Sequence, residues 1–173
     1  SVGRVYRLMK QLQLPKMSTD KPSVSGRHPD NEAFCNHLKQ NFNQKAPNLV
    51  WVSDITYLKA AGKWYYLCII MDLYSRKVIS WHISANADAD LVITAFAFRQ
   101  LLDSLNVVHS FSKKGYPFDN ACCECFFKYL KKEETNRKCY HSLQELQLPI
   151  FEYIEGYHNS KKPHGTLNML TPN

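Results

Sequence analysis

Three apolar runs rich in β-branched and aromatic residues, at about 49–58, 64–72 and 77–84, are joined by turns only a few residues long, KAAGK and YSR. Turns that short return each run antiparallel beside the last, so the stretch is expected to fold as a three-strand meander. A sheet with an apolar face must bury it, and the chain beyond residue 84 offers cover. In ADADLVITAFAFRQLLDSLN the period changes, placing Leu91, Ala95, Phe98, Leu102 and Leu105 on one helical face, with a cap near Asp88. VVHSF then reads as a short strand, SKKGYPFDN as a loop and ACCECFFKYLKKEE as a second helix. Ser142 and Glu145 form a capping box that opens a third helix through LQELQLPIFEYIEGYHN. Pro149 lies inside that helix and removes a backbone hydrogen bond, so a kink or break is expected there. The pattern is a mixed α/β architecture with helices packed on a sheet.

The meander is preceded by a different kind of sequence. Val2, Val5, Met9 and Leu12 recur at helical spacing and Pro15 stops the pattern, which makes residues 1–15 one amphipathic helix. Residues 16–47 are polar, rich in Ser, Pro, Lys and His, and read as a linker or arm. A compact domain is expected from residue 48 to 173. With 45% hydrophobic residues it has material for a packed core.

Twenty-two Lys and Arg against fifteen Asp and Glu give a net charge of +7, the balance of a protein that meets a polyanion. No apolar run is long enough for a membrane span and no signal-peptide core opens the chain, so a cytoplasmic protein is expected. Its six cysteines are then expected as thiols rather than disulfides.

Two carboxylates stand out. Asp54 interrupts the apolar strand VWVSDITYL, a costly position for a charge unless it is paired or holds a metal. Glu124 lies on the second helix and shares a face with Lys128 and Lys131 by i, i+4 and i, i+7 spacing. The neighbours Cys122, Cys123 and Cys125 raise zinc as an alternative. Adjacent helical cysteines diverge, however, and no second cysteine pair completes a four-ligand site.

The blocks WVSDITYL, GKWYYLCIIMDLYSRKVISW, SKKGYPFDNACCECFFKYLKKE and IFEYIEGYHNSKKPHGTLNMLTP resemble, in order, the integrase catalytic core of bacterial insertion-sequence transposases, relatives of retroviral integrases. The resemblance spans 48–173, and the first helix looks like the end of the helix-turn-helix region that precedes such a core. It implies a ribonuclease H-like fold and a DNA partner, the element ends and the target. It also implies a homo-oligomer acting at the bacterial nucleoid. The implied chemistry is phosphoryl transfer by two Mg²⁺ or Mn²⁺ ions on an Asp, Asp, Glu triad, with Asp54 as the first carboxylate and Glu124 as the last. Lys113, Lys114, Lys128, Lys131, Lys132, Lys161 and Lys162 then form a candidate phosphate-binding surface.

The block carrying the family's second Asp has no match. The first long helix runs straight into a later one, and family spacing places the join near Arg99 and Gln100. Asp88 has a suitable distance to Glu124 but caps a helix, and in VVHSF a phenylalanine, Phe111, stands where the Asp belongs. Asp72 reads as a structural residue at a strand end and Asp103 as a solvated one. The fold is therefore expected to lack one strand and helix, and the triad to be incomplete. Two functions remain: a transposase core impaired in cleavage and strand transfer, or a non-catalytic DNA-binding remnant that interferes with transposase oligomers.

Overall fold

The computed structural model describes residues 2–12, 36–85, 104, 107, 108, 110 and 120–173. The expected meander is there. Strands β1 (Trp51–Ala60), β2 (Lys63–Asp72) and β3 (Val78–Ser84) form an antiparallel sheet in the order β1-β2-β3. Trp51 faces Asp72 at one end of the first pair and Ala60 faces Lys63 at the other. The hairpin closes on Ala61 and Gly62, with φ of 49° and 73°. Both values are positive, as the turn that matches the strand twist requires, and Gly62 meets the requirement without steric cost.

In a two-residue hairpin the flanking residues exchange both hydrogen bonds, so the even-numbered residues of β1 bond to β2. The odd-numbered residues turn their backbone groups to the outer edge. Among the described residues no strand pairs there. The even-numbered side chains Thr56, Leu58 and Ala60 lie on the buried face with Leu67, Ile69, Met71, Val78 and Ile83.

Two helical runs cover that face. Helix α1 (Val2–Gln11) comes first in the chain; α2 (Ala121–Leu130) continues as a π segment, Lys131–Thr135, and α3 (Leu143–Phe151) continues as Glu152–His158. α2 buries Cys123, Phe126, Phe127 and Leu130, a stripe at i, i+3, i+4 and i+7. Leu146, Ile150, Tyr153 and Ile154 do the same for the second run. At about 1.5–3 kcal/mol for each large apolar side chain removed from water, these contacts dominate the packing.

α3 opens as its sequence requires, with the Glu145 amide donating to Ser142 Oγ at 3.0 Å. The Glu145 carboxylate reaches one residue further back than in the usual box and accepts the His141 amide. Pro149 neither breaks nor stops the run. The helix instead widens to π spacing from Glu152, three residues later. Residues 88–103, expected as a helix, lie outside the described residues. The expected strand at VVHSF is corrected: Val107, Val108 and Ser110 are exposed and outside any strand. Ser110 Oγ instead accepts the amides of His37 and Leu38 at 2.9 and 3.0 Å, which draws this segment to the 36–42 turn.

Candidate functional site

β1 carries Asp54 on the helix-covered face, opposite Ile69. The first turn of α2 is fastened beside it by one side chain. Asn120, the residue before the helix, does not cap it. Its Nδ2 donates to the Ser53 carbonyl at 2.9 Å, on the outer edge of β1. The neighbouring outer group, the Ile55 amide, donates to Asp54 Oδ1 at 2.8 Å. Two backbone groups on the free edge are therefore satisfied by side chains next to the candidate site.

This fastening brings Glu124 within electrostatic reach of Asp54. Burial pushes the Asp54 carboxyl up, the Ile55 hydrogen bond pulls it partly back, and the Glu124 charge raises it again. Glu124 itself is exposed. The buried Asp54 carboxyl and the Glu124 charge near it make an electron-rich corner that a cation relieves. Asn120, four residues before Glu124, also keeps a hard oxygen donor, Oδ1, buried without a hydrogen-bond partner. An all-oxygen set suits Mg²⁺ or Mn²⁺ rather than zinc. It is nonetheless short of a triad, because no group of three His, Cys, Asp or Glu able to hold a metal occurs among the described residues.

Three of the cysteines near the site are held toward the thiol form. Burial pushes the thiols of Cys68 and Cys122 up, and that of Cys123 well up, with the Asp54 charge adding to the effect at Cys68 and Cys123. Cys122 is half-buried, Cys123 buried and Cys125 exposed, so the three point to different surroundings. Asp72 is structural as expected. Only 1% exposed, it accepts the Asn48 amide on Oδ1 and the Ser75 amide and hydroxyl on Oδ2.

The lysines divide. Lys128, Lys132 and Lys161 are exposed, and Lys131 lies with Nζ 3.9 Å from the centre of the Tyr57 ring. Lys113 and Lys114 lie outside the described residues. Lys162 is drawn inward: its side chain is 14% exposed and pairs with Glu133 at 2.8 Å. Its ammonium also sits 4.1 Å from the Tyr129 ring centre and 5.5 Å from that of Tyr157. A lysine so occupied serves packing before it serves a phosphate.

Sequence reasoning missed Asn120, Arg76, His158 and Asn159. Arg76 donates to Phe42 O at 3.1 Å and to Cys122 Sγ at 2.7 Å, while His158 and Asn159 hold the turn that carries it. Their partners lie tens of residues away in sequence, so local pattern carried no signal for them.

Two models of the integrase core domain match the chain, one over residues 44–97 and the other over 105–172. The chain belongs to the integrase core family. The transposase for insertion sequence element IS904 of Lactococcus lactis is 31% identical over 163 residues, spanning 79% of the chain and 64% of that protein. Transposase InsF of IS3A from Escherichia coli is also 31% identical over 163 residues, with 79% of the chain and 57% of the transposase covered. A Lactococcus lactis protein named ATP-dependent protease is 57% identical over 77 residues, 44% of the chain and 25% of its own length. A match to a quarter of that protein identifies a shared segment and not the activity in its name. The integrase core described here spans between a quarter and about two thirds of these relatives. For the IS904 transposase, 79% of 173 residues is about 137, against 163 aligned positions, which leaves about 26 of those positions without a counterpart in the chain. Among the described residues no helix is long and apolar enough to cross a membrane.

Proposed function

We propose that this chain is the integrase core of an insertion-sequence transposase, built for metal-dependent cleavage and transfer of DNA strands and impaired by internal shortening near residues 99 and 100. The observation that carries the reading is the placement of Glu124 on α2 within electrostatic reach of Asp54 on β1, where its charge adds to the burial that raises the Asp54 carboxyl. The shortening is supported by two integrase-core matches that end at 97 and resume at 105. The surplus of aligned positions in the transposase relatives and the outer edge of β1, unpaired by any strand among the described residues, point the same way.

Asp54 and Glu124 would hold the divalent ion, and the Ile55 amide orients one Asp54 oxygen. When bound, such ions activate the attacking oxygen and stabilise the leaving oxygen of a phosphodiester. With only these two carboxylates to hold the ions among the described residues, turnover would fall steeply. Lys128, Lys132 and Lys161 offer exposed charge to DNA phosphates, at element ends and target alike. Action at the nucleoid as a homo-oligomer, and α1 as the end of a helix-turn-helix, belong to the same proposal.

The absence of a third metal-binding carboxylate among the described residues favours a second reading, a DNA-binding remnant that joins intact transposase and blocks it. Nicking of element-end duplex in Mn²⁺ separates the two. Nicking that disappears in Asp54→Asn supports the impaired enzyme. Binding of the duplex without Asp54-dependent nicking supports the remnant, and nicking untouched by Asp54→Asn removes this site from the account.

A further inference from the structure

A tie runs from the C-terminal segment through the β2–β3 turn to the helix that carries Glu124. Asn159 is fully buried and uses its amide mainly on one residue, accepting the Val78 N–H on Oδ1 and donating from Nδ2 to the Val78 carbonyl, each at 3.0 Å, while Nδ2 also donates to Glu155 Oε2 at 3.0 Å. Beside it, His158 Nε2 lies 3.0 Å from the Arg76 carbonyl oxygen. A carbonyl can only accept, so this bond places the ring proton on Nε2. Arg76 is thereby held in the left-handed region, at φ 61°. For a residue with a Cβ that conformation costs free energy, and it persists where the surroundings over-determine it.

The Arg76 side chain leaves the turn as a fork. One guanidinium nitrogen donates to Phe42 O and the other to Cys122 Sγ. Cys122 belongs to the first turn of α2, two residues before Glu124. A lysine offers its donors from a single ammonium and lacks the planar fork that meets the two acceptors from separate nitrogens.

We propose that Arg76 is a positioning residue: clamped by His158 and Asn159, it fixes the first turn of α2 and so the place of Glu124 beside Asp54. The assignment deepens the carboxylate reading above and rests on it for its consequence, but it has a readout that needs no metal. Amide hydrogen exchange of the Arg76→Gly chain tests it. Glycine accepts positive φ without penalty, so the turn keeps its backbone while the fork is lost.

The expected result is exchange about tenfold faster at the amides of Glu124, Cys125 and Phe126, the local opening that follows loss of a charge-assisted hydrogen bond, with the β2 amides unchanged. Arg76→Lys is expected to behave as Arg76→Gly, and His158→Ala to act in the same direction. In all three the rise in melting midpoint caused by Mn²⁺ shrinks. Unchanged exchange at 124–126 overturns the proposal, and so does equal acceleration of α2 and β2, the mark of general loosening. If the wild-type chain ignores Mn²⁺ while exchange in Arg76→Gly still rises only at 124–126, the carboxylate reading fails and the positioning of α2 by Arg76 stands.

Discussion

The Asn120 side-chain amide donates to the Ser53 carbonyl at 2.9 Å and so sets the start of the Glu124 helix against the strand that carries Asp54. Removing that donor as Asn120→Ala is expected to cost about 1 kcal/mol of stability. Asn120→Asp is expected to cost more, about 1–3 kcal/mol, because it turns an acceptor toward a carbonyl and adds a third negative charge near two carboxylates. Urea unfolding of the three chains checks the order; equal stability of the two variants would remove the donor from this role.

Acid should loosen the C-terminal tie. Burial lowers the His158 imidazole to about 4, with the Arg76 carbonyl opposing this and the charges of His164 and Lys162 adding to it. Glu133 opposes it weakly, and burial lowers His164 in the same sense. The folded chain therefore prefers neutral rings. The His158 contribution is complete above about pH 6.5, the ordinary value, and is lost as pH falls toward 4, to a total of at most about 3 kcal/mol. Melting midpoints between pH 7 and 4 should drop more steeply in the wild type than in His158→Gln, whose side chain does not titrate.

Lys162 and its exposed neighbours should part ways in DNA binding. Lys162→Met is expected to lower stability by about 1–2 kcal/mol, through loss of the Glu133 pair and the aromatic contacts, and to leave the salt dependence of DNA affinity unchanged. Lys128→Ala, Lys132→Ala and Lys161→Ala should leave stability within about 0.5 kcal/mol and each reduce the slope of log affinity against log salt by up to about one. Titrations at several salt concentrations decide it; a reduced slope for Lys162→Met would return that residue to the phosphate surface.

Much of this molecule was legible locally. The runs around KAAGK and YSR set the meander, since short turns leave neighbouring strands no other partner. The α2 stripe of Cys123, Phe126, Phe127 and Leu130 follows helical periodicity. Asp54 was visible as a charge in an apolar strand, and Asp72 as a turn residue. The family resemblance, rather than periodicity, made a pair of Asp54 and Glu124.

The remainder depended on distant partners. VVHSF has strand composition, but Ser110 bonds to the backbone near His37 and the segment lies off the sheet. Lys162 reads as a surface charge until the fold brings Glu133 and Tyr129 to it. Pro149 was expected to kink or break α3; the break does not occur, and the helix runs through it and widens to π spacing from Glu152.

The central claim is that Asp54 and Glu124 still make one cation site. The most direct test is the thermal midpoint of the wild type, Asp54→Asn and Glu124→Gln at neutral pH, with and without Mn²⁺. Because the Asp54 carboxyl is pushed up, its contribution to folding is present at low pH and lost as pH rises through its folded value, so ionised Asp54 is a burden to the metal-free chain. Asp54→Asn is therefore expected to melt above the wild type without metal, and only the wild type should gain from Mn²⁺, by about 2–4 °C per kcal/mol of binding. An equal rise in all three chains, or none in any, would contradict a site made by these two residues.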